Sequence, residues 1–390
     1  MSATDAKAAV QELVDAQEDA LVDLSHRIHA TPELCFEEER SSAWCAEALS
    51  DAGFALETGV ADLPTAFVAT AGTGDLVLSI CAEYDALPGV GHACGHNIIA
   101  ASAVGAALGL QPLADDLGIT IKVMGTPAEE GGGGKILMLE RGVFDGVHAA
   151  MMVHPAPTEL DHMPCLAVAH VDVRYTGKEA HASAFPELGI NAADALTVAQ
   201  TAIGLLRQHV PREARIHGIV THGGDAPNVV PAHTTGKWYI RERTMELLAE
   251  LRPKVERCFE AGALATGCDH EVVDQSPVYS EMRDDLDLRN LYRANAEGLG
   301  RRFPDMTGLL DKMSGSTDMA NISLAIPTIH PMLGLDCFPV SNHQPDFAAF
   351  CATPTADKAM RDGAIAMAWT AIDAATRTTV RDRLLASAPR

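Results

Sequence analysis

Between residues 66 and 153 short apolar runs alternate with loops and helix-patterned segments, and this alternation constrains the fold more than any other feature. Ala66–Thr70 and Leu76–Ala82 read as strands joined by the turn Gly72-Thr73-Gly74; Ile119–Met124 and residues 148–153 read as further strands. Between them lie a Pro/Gly-rich loop (85–96), a small-residue helix over about 97–110, the loop TPAEEGGGG and a helix from about 135. Strand, loop and helix in this order predict an α/β sheet with mainly parallel strands. Upstream, 5–30 and 37–52 carry helical spacing that stops before Pro32 and at Gly53. The middle of the chain changes style. Ala167–Tyr175, Ile216–Thr221 and Lys237–Arg243 alternate like strands, with helices near 190–209 and 245–266. After about 280, helix–strand alternation returns and ends in a helix near 353–376. The economical description is one α/β domain, 1–166 and 280–390, interrupted by a small α+β domain, 167–279.

At 390 residues, 47% apolar and 21% charged, the chain has ample material for two or three cores, which excludes a disordered or fibrous protein. Lys plus Arg number 29 and Asp plus Glu 53, a net charge of −24. Such a surface repels phosphate backbones and anionic lipid, so neither nucleic acid nor a membrane is an expected partner; it serves solubility equally well. The apolar stretch Ile98–Leu110 falls short of the ~20 residues a bilayer requires. The acidic N-terminus has neither a basic n-region nor an apolar h-region, giving the expectation of a cytoplasmic protein without a signal peptide. Nine scattered cysteines suit reduced thiols.

Four segments hold most of the candidate ligands: GHACGHN (91–97), AEEG (128–131), VHP (153–155) and SNHQ (341–344). Three follow apolar strand-like runs, where α/β sheets place their sites. Thiol, imidazole and carboxylate gathered there suit Zn²⁺, or Mn²⁺ with more oxygen ligands. Glu129 and Glu130 would point to opposite sides of a regular strand, so sharing one site requires an irregular loop, which Pro127 and four glycines make available. Other motif readings fail. A phosphate loop would need glycine at Glu129 and Ser or Thr at Ile136, and a zinc deaminase would need a Cys-x-x-Cys that is absent. A Cys94/His96 nucleophile–base pair is conceivable, but residues two apart on an extended segment more naturally converge on one ion.

HRIHATPEL (26–34), AEYDALPGVGHACGHN (82–97), GTPAEEGGGGK (125–135), GKEAHAS (177–183), GINAADAL (189–196), APNVVP (226–231) and GSTDMANIS (315–323) occur in that order. Together they resemble the amidohydrolase branch of the aminoacylase/carboxypeptidase-type metallopeptidases, which includes hippurate, indole-acetyl-amino-acid and p-aminobenzoyl-glutamate hydrolases and β-alanyl-lysine dipeptidase. The resemblance implies a two-metal exopeptidase-like α/β catalytic domain with an inserted α+β lid that dimerises. It implies two divalent ions, Zn or Mn with Co as a further candidate, and hydrolysis of an N-acyl amino acid or dipeptide. By the same resemblance Cys94 would bridge the ions, with His96, Glu130, His154 and His343 as further ligands and Glu129 as general base. His181 would face the oxyanion, and Asn228 and Arg241 the substrate carboxylate. Ser316 and Asp318 would line the pocket, with a helix N-cap as the alternative role. The His-x-Asp motif of other branches falls on Cys81-Ala82-Glu83, so the first histidine ligand is missing and Glu83 is expected to support the site from behind. A metal-free binding homologue is the non-enzymatic alternative; retention of Glu129 and all five ligand candidates argues against it.

Overall fold

The computed structural model describes residues 1–306 and 314–387. The chain divides into two compact units, one made of Met1–Pro164 with the chain from Met282 on, the other of Cys165–Glu281.

The first unit is built on a six-stranded sheet in the order β1 (Ala55–Thr58), β2 (Phe67–Ala71), β4 (Ile119–Gly125), β3 (Leu76–Ala82), β5 (Ala149–Met151), β11 (Thr328–Ile329). The four strands β4, β3, β5 and β11 run parallel, while β2 is antiparallel to both β1 and β4. The expected mainly parallel sheet is therefore present, with an antiparallel margin. A short parallel pair, β6 (His154–Ala156) and β12 (Met332–Gly334), continues beyond β5 and β11.

The helix His96–Leu110 lies under this sheet with all but one of its residues buried. Its small residues let neighbours approach closely. A side chain at Gly105 would meet Leu21 Cδ1 at 2.8 Å, and one at Gly109 would meet Val14 Cγ2 at 2.8 Å. Val14 and Leu21 belong to helices Ala3–Ala16 and Glu18–Ala30, which the sequence pattern runs together and which break at Gln17. The helical run His96–Leu117, at 22 residues and mean hydropathy 1.4, is long and apolar enough to cross a membrane. It exceeds the apolar stretch read from sequence because turns over Gln111–Leu113 and Ala114–Leu117 extend it. It is a core helix here, and 78% of its most apolar window is buried.

The second unit is a four-stranded antiparallel sheet in the order β10 (Asp269–Asp274), β7 (Ala167–Thr176), β9 (His233–Glu242), β8 (Arg215–His222), packed with helices Ala192–Leu206 and Met245–Thr266. Alternate residues Val171, Val173, Trp238 and Ile240 face Leu196, Leu251 and Phe259 in its own core. β10 escaped the sequence reading because DHEVVD exposes or half-exposes every side chain and so lacks an apolar face. β8 is an edge strand, with Ile219 64% and Val220 45% exposed. All nine cysteines are free thiols.

Candidate metal centre

The loops that leave the carboxyl ends of β3, β4 and β5 carry the chemistry, as the physics of parallel sheets requires. After β3 the chain passes Glu83 and Asp85 and reaches Gly95, whose φ of +77° and contact with Pro155 (2.8 Å from a built Cβ) both demand glycine. That turn starts the core helix at His96 and leaves Cys94 buried at its mouth. After β4, Ala128 takes a φ of +58°, and its carbonyl accepts from Gly132 N and Gly133 N at 3.0 and 2.8 Å. Glu129 and Glu130 thus sit on a tight turn, the irregular backbone needed to bring neighbouring carboxylates to one site. His343, at φ +69°, is tied to the same place by its N–H donating to Ala93 O at 2.8 Å.

The donors converge on Cys94. Its Sγ lies 3.4 Å from His154 Nε2 and 3.6 Å from His343 Nε2. Glu130 Oε1 is 3.7 Å from His343 Nε2 and 3.9 Å from His96 Nε2. Donors bonded at about 2.0–2.3 Å to one tetrahedral ion stand about 3.3–3.6 Å apart, so both Cys94 spacings fit a shared divalent ion, the Glu130–His343 spacing is wider by about 0.1 Å, and the 3.9 Å between Glu130 and His96 separates donors of different clusters. Cys94, His96 and His154 form one cluster and Cys94, Glu130 and His343 a second, which makes the thiol common to both. Tautomers agree. Asp85 Oδ1 receives His96 Nδ1–H at 2.9 Å and Pro155 O receives His154 Nδ1–H at 2.9 Å, leaving each Nε2 lone pair for an ion. His96 Nε2 and Glu130 Oε1 are buried without hydrogen-bond partners among the described residues. The residues present therefore fit a pair of divalent cations.

Electrostatics point the same way. Burial, then repulsion from Glu83 and Glu130, pushes the Glu129 carboxyl well above its ordinary value. Burial also raises Glu130 and the Cys94 thiol, the latter with help from Glu130. Asp85 behaves oppositely: burial works against its charge, but His96, the Glu130 N–H and Lys135 overcome it and hold the carboxyl at about 2. Cations between these groups relieve the mutual repulsion.

Sequence reasoning missed Asp85, although it stands inside the quoted motif AEYDALPG. It accepts from His96 Nδ1 on one oxygen and from Glu130 N at 2.9 Å on the other, and Cys35 Sγ reaches it at 3.5 Å. Asp85, not Glu83, therefore backs His96, which corrects the placing of the His-x-Asp positions on 81–83. Glu83 faces the other ring nitrogen, with Oε2 3.5 Å from His96 Nε2. Asn342 also went unassigned; it donates to Pro155 O at 3.0 Å and reaches Cys94 Sγ at 3.8 Å. His330 is buried and packs its ring 5.3 Å from that of His154. Asp318 does not line an open pocket. It is fully buried, with both oxygens bound to Lys135, and its side chain makes no cap to the helix that follows. Ser316 is half-buried and donates to Gly315 O at 2.9 Å.

In the second unit His181 is exposed and pairs with Val229 across a β-bridge, and Ala182 N donates to the carbonyl of exposed Asn228 at 3.0 Å. His181 Nδ1 accepts from Ser183 N and Ala184 N at 3.3 and 3.2 Å, so the proton of a neutral ring resides on Nε2. Arg241 stands on β9, its Nε 3.4 Å from His217 Nε2 and its guanidinium 5.6 Å from the Tyr239 ring.

The sequence profile of peptidase family M20/M25/M40 matches residues 80–357, which include Cys94, His96, Glu130, His154 and His343. The chain belongs to this family. It is 36% identical over 384 residues to Xaa-Arg dipeptidase of Mus musculus, covering 94% of this chain and 88% of the relative. Against one of the subunits of the p-aminobenzoyl-glutamate hydrolase of Escherichia coli (strain K12) it is 34% identical over 278 residues, 66% of this chain and 58% of the relative. A dinuclear metal-binding M20 peptidase of Bacillus subtilis shares the fold, with a TM-score of 0.67 at 22% identity over 92% of this chain and 98% of that one. Membership in this family, with this donor set, makes the chain a metal-dependent hydrolase of amide or peptide bonds.

Proposed function

We propose that this M20 enzyme is a cytoplasmic dipeptidase that cleaves an aminoacyl or N-acyl amino acid with a free carboxylate, using two zinc or manganese ions. The observation that carries the reading is the convergence of His96, Glu130, His154 and His343 on the Cys94 thiol, with Glu129 beside them. In this assignment Cys94, the thiol common to both clusters, would help hold both ions, and His96, Glu130, His154 and His343 would supply the remaining protein ligands. Divalent ions there supply polarisation of the scissile carbonyl and activation of a water.

The chain's own residues do the rest. Glu129, held on the Ala128 turn with 6% exposure, takes the proton of the attacking water and passes it to the leaving nitrogen. His181 presents Nε2–H to the oxyanion, as its bonded Nδ1 dictates. Asn228 and Arg241 are assigned to the substrate carboxylate. Ser316 is assigned to the pocket wall. The exposed edge and apolar side chains of β8 support a homodimer through the inserted unit, since an open edge strand with Ile219 and Val220 uncovered is a ready pairing surface.

The net charge of −24 favours a substrate with a cationic residue over one ending in glutamate, and the Mus musculus relative is named for cleavage before arginine. A hydrolysis screen with Zn²⁺ and with Mn²⁺ tests this, over Xaa-Arg and Xaa-Lys dipeptides, β-alanyl dipeptides, N-acyl amino acids and p-aminobenzoyl-glutamate. Preferred cleavage of basic dipeptides is expected. Faster cleavage of p-aminobenzoyl-glutamate would replace the dipeptidase reading with the other.

A further inference from the structure

Lys135 is fully buried in the wall of the metal centre, and both its polar ends are committed. Its backbone N–H donates to Asp318 Oδ2 at 2.9 Å, and its Nζ lies 2.7 Å from Asp318 Oδ1 and 2.5 Å from Glu83 Oε1. An ammonium tolerates such burial only when paired, and here two carboxylates share it. Neither the ligand set nor the proton relay uses this lysine.

Glu83 gives the chain its meaning. Lys135 holds Oε1, while Oε2 is buried without a hydrogen-bond partner among the described residues and stands 3.5 Å from His96 Nε2. Two donors on one ion at about 2.0–2.1 Å lie about 3.3 Å apart. Glu83 is thus within a few tenths of an ångström of the spacing at which it would share the ion of His96. Yet it clusters with His96 and Glu129, and not with Cys94 and His154. A catalytic ion keeps a position open for water or substrate, and a protein carboxylate that enters that position closes it.

We propose that Lys135, anchored by Asp318, is a positioning residue that holds Glu83 back from the ion at His96 and so keeps that ion's open position free. The inference rests on the metal-ligand assignment above. It makes the GGGGK lysine a restraint on a carboxylate, and it gives Asp318 the task of fixing that lysine from the start of helix Met319–Ala325.

The test is metal binding, read apart from turnover. Zinc affinity is measured by competition with a chromogenic chelator, and the visible spectrum of the cobalt-loaded protein reports coordination number. Lys135→Met releases Glu83 onto the ion and removes a nearby positive charge. Zinc should bind about tenfold or more tightly, the cobalt absorption should weaken as a ligand is added, and kcat should fall about 10–100-fold. Adding Glu83→Gln should bring affinity and spectrum back toward wild type, because an amide is a poor ligand. A lysine with a merely structural role predicts looser zinc binding and no rescue by Gln, and that result overturns the proposal. Should Lys135→Met fail to fold, Glu83→Gln alone decides, since it leaves Lys135 and Asp318 balanced. A carboxylate held off the ion predicts affinity within about threefold of wild type, whereas a loss of about 10–100-fold would make Glu83 itself a ligand and refute the restraint. Wild-type protein that binds no zinc would sink the metal assignment itself, a different and distinguishable outcome.

Discussion

Asp85→Asn is the substitution whose cost follows most directly from the geometry. Asp85 is 1% exposed, and its two oxygens serve two different N–H donors, His96 Nδ1 and Glu130 N, each at 2.9 Å. Asparagine keeps the shape but offers one oxygen and one NH₂. If the oxygen stays on His96, the amide faces the Glu130 N–H donor to donor, and the turn carrying Glu129 and Glu130 loses its anchor. If the amide turns to His96, Nδ1 must become the acceptor, the ring proton moves to Nε2, and the nitrogen that should ligate is blocked. Either way one buried donor is left unmatched, a cost of about 1–3 kcal/mol. At 1.4 kcal/mol per factor of ten, that is a loss of about 5- to 150-fold in metal affinity. The range spans the roughly 10–100-fold commonly lost when a partner behind a metal-ligating histidine is removed. The assay is zinc affinity by chelator competition on wild type and Asp85→Asn, with kcat measured separately at saturating metal. An affinity within about twofold of wild type would refute the argument, because it would mean that neither N–H depends on a carboxylate acceptor.

Three further outcomes are expected. Glu129→Gln should lower kcat by about 10²–10⁴ while keeping its metals, and Cys94→Ser should instead lower metal occupancy; near-normal kcat in Glu129→Gln would mean another residue is the base. If His181 serves the partner's site in a dimer, His181→Ala and Glu129→Gln refolded as an equal mixture should recover about a quarter of wild-type activity, since about half the dimers are mixed and each mixed dimer has one intact site. No recovery, with exchange confirmed by mass, would confine His181 to its own protomer. Phe259→Ala, which empties a fully buried position 5.7 Å from the Trp238 ring, should destabilise the inserted unit by about 3–5 kcal/mol in denaturant unfolding. A cost under about 1 kcal/mol would show that this core is not packed as described.

The sequence by itself determined the layer architecture and the residue types of the metal centre. β3 at Leu76–Ala82 and the helix Met245–Thr266 fall where periodicity put them, because an apolar face repeats with the geometry of the element that buries it. Cys94, His96, Glu130, His154 and His343 were legible because soft and borderline donors at strand ends are chemically conspicuous. Partnership was not legible. Which acid stands behind His96 depends on the path the chain takes as it leaves β3: residues two apart on a regular strand would share a face, yet beyond Ala82 the backbone is irregular and brings Glu83 to Nε2 and Asp85 to Nδ1 of one ring. Nor did local pattern show that the lysine of GGGGK is buried between Glu83 and Asp318, residues from opposite ends of the sequence. Tertiary structure alone decided these pairings. A charge can be buried only where folding brings its counter-charge within reach, and that distance is set by the packing of distant elements.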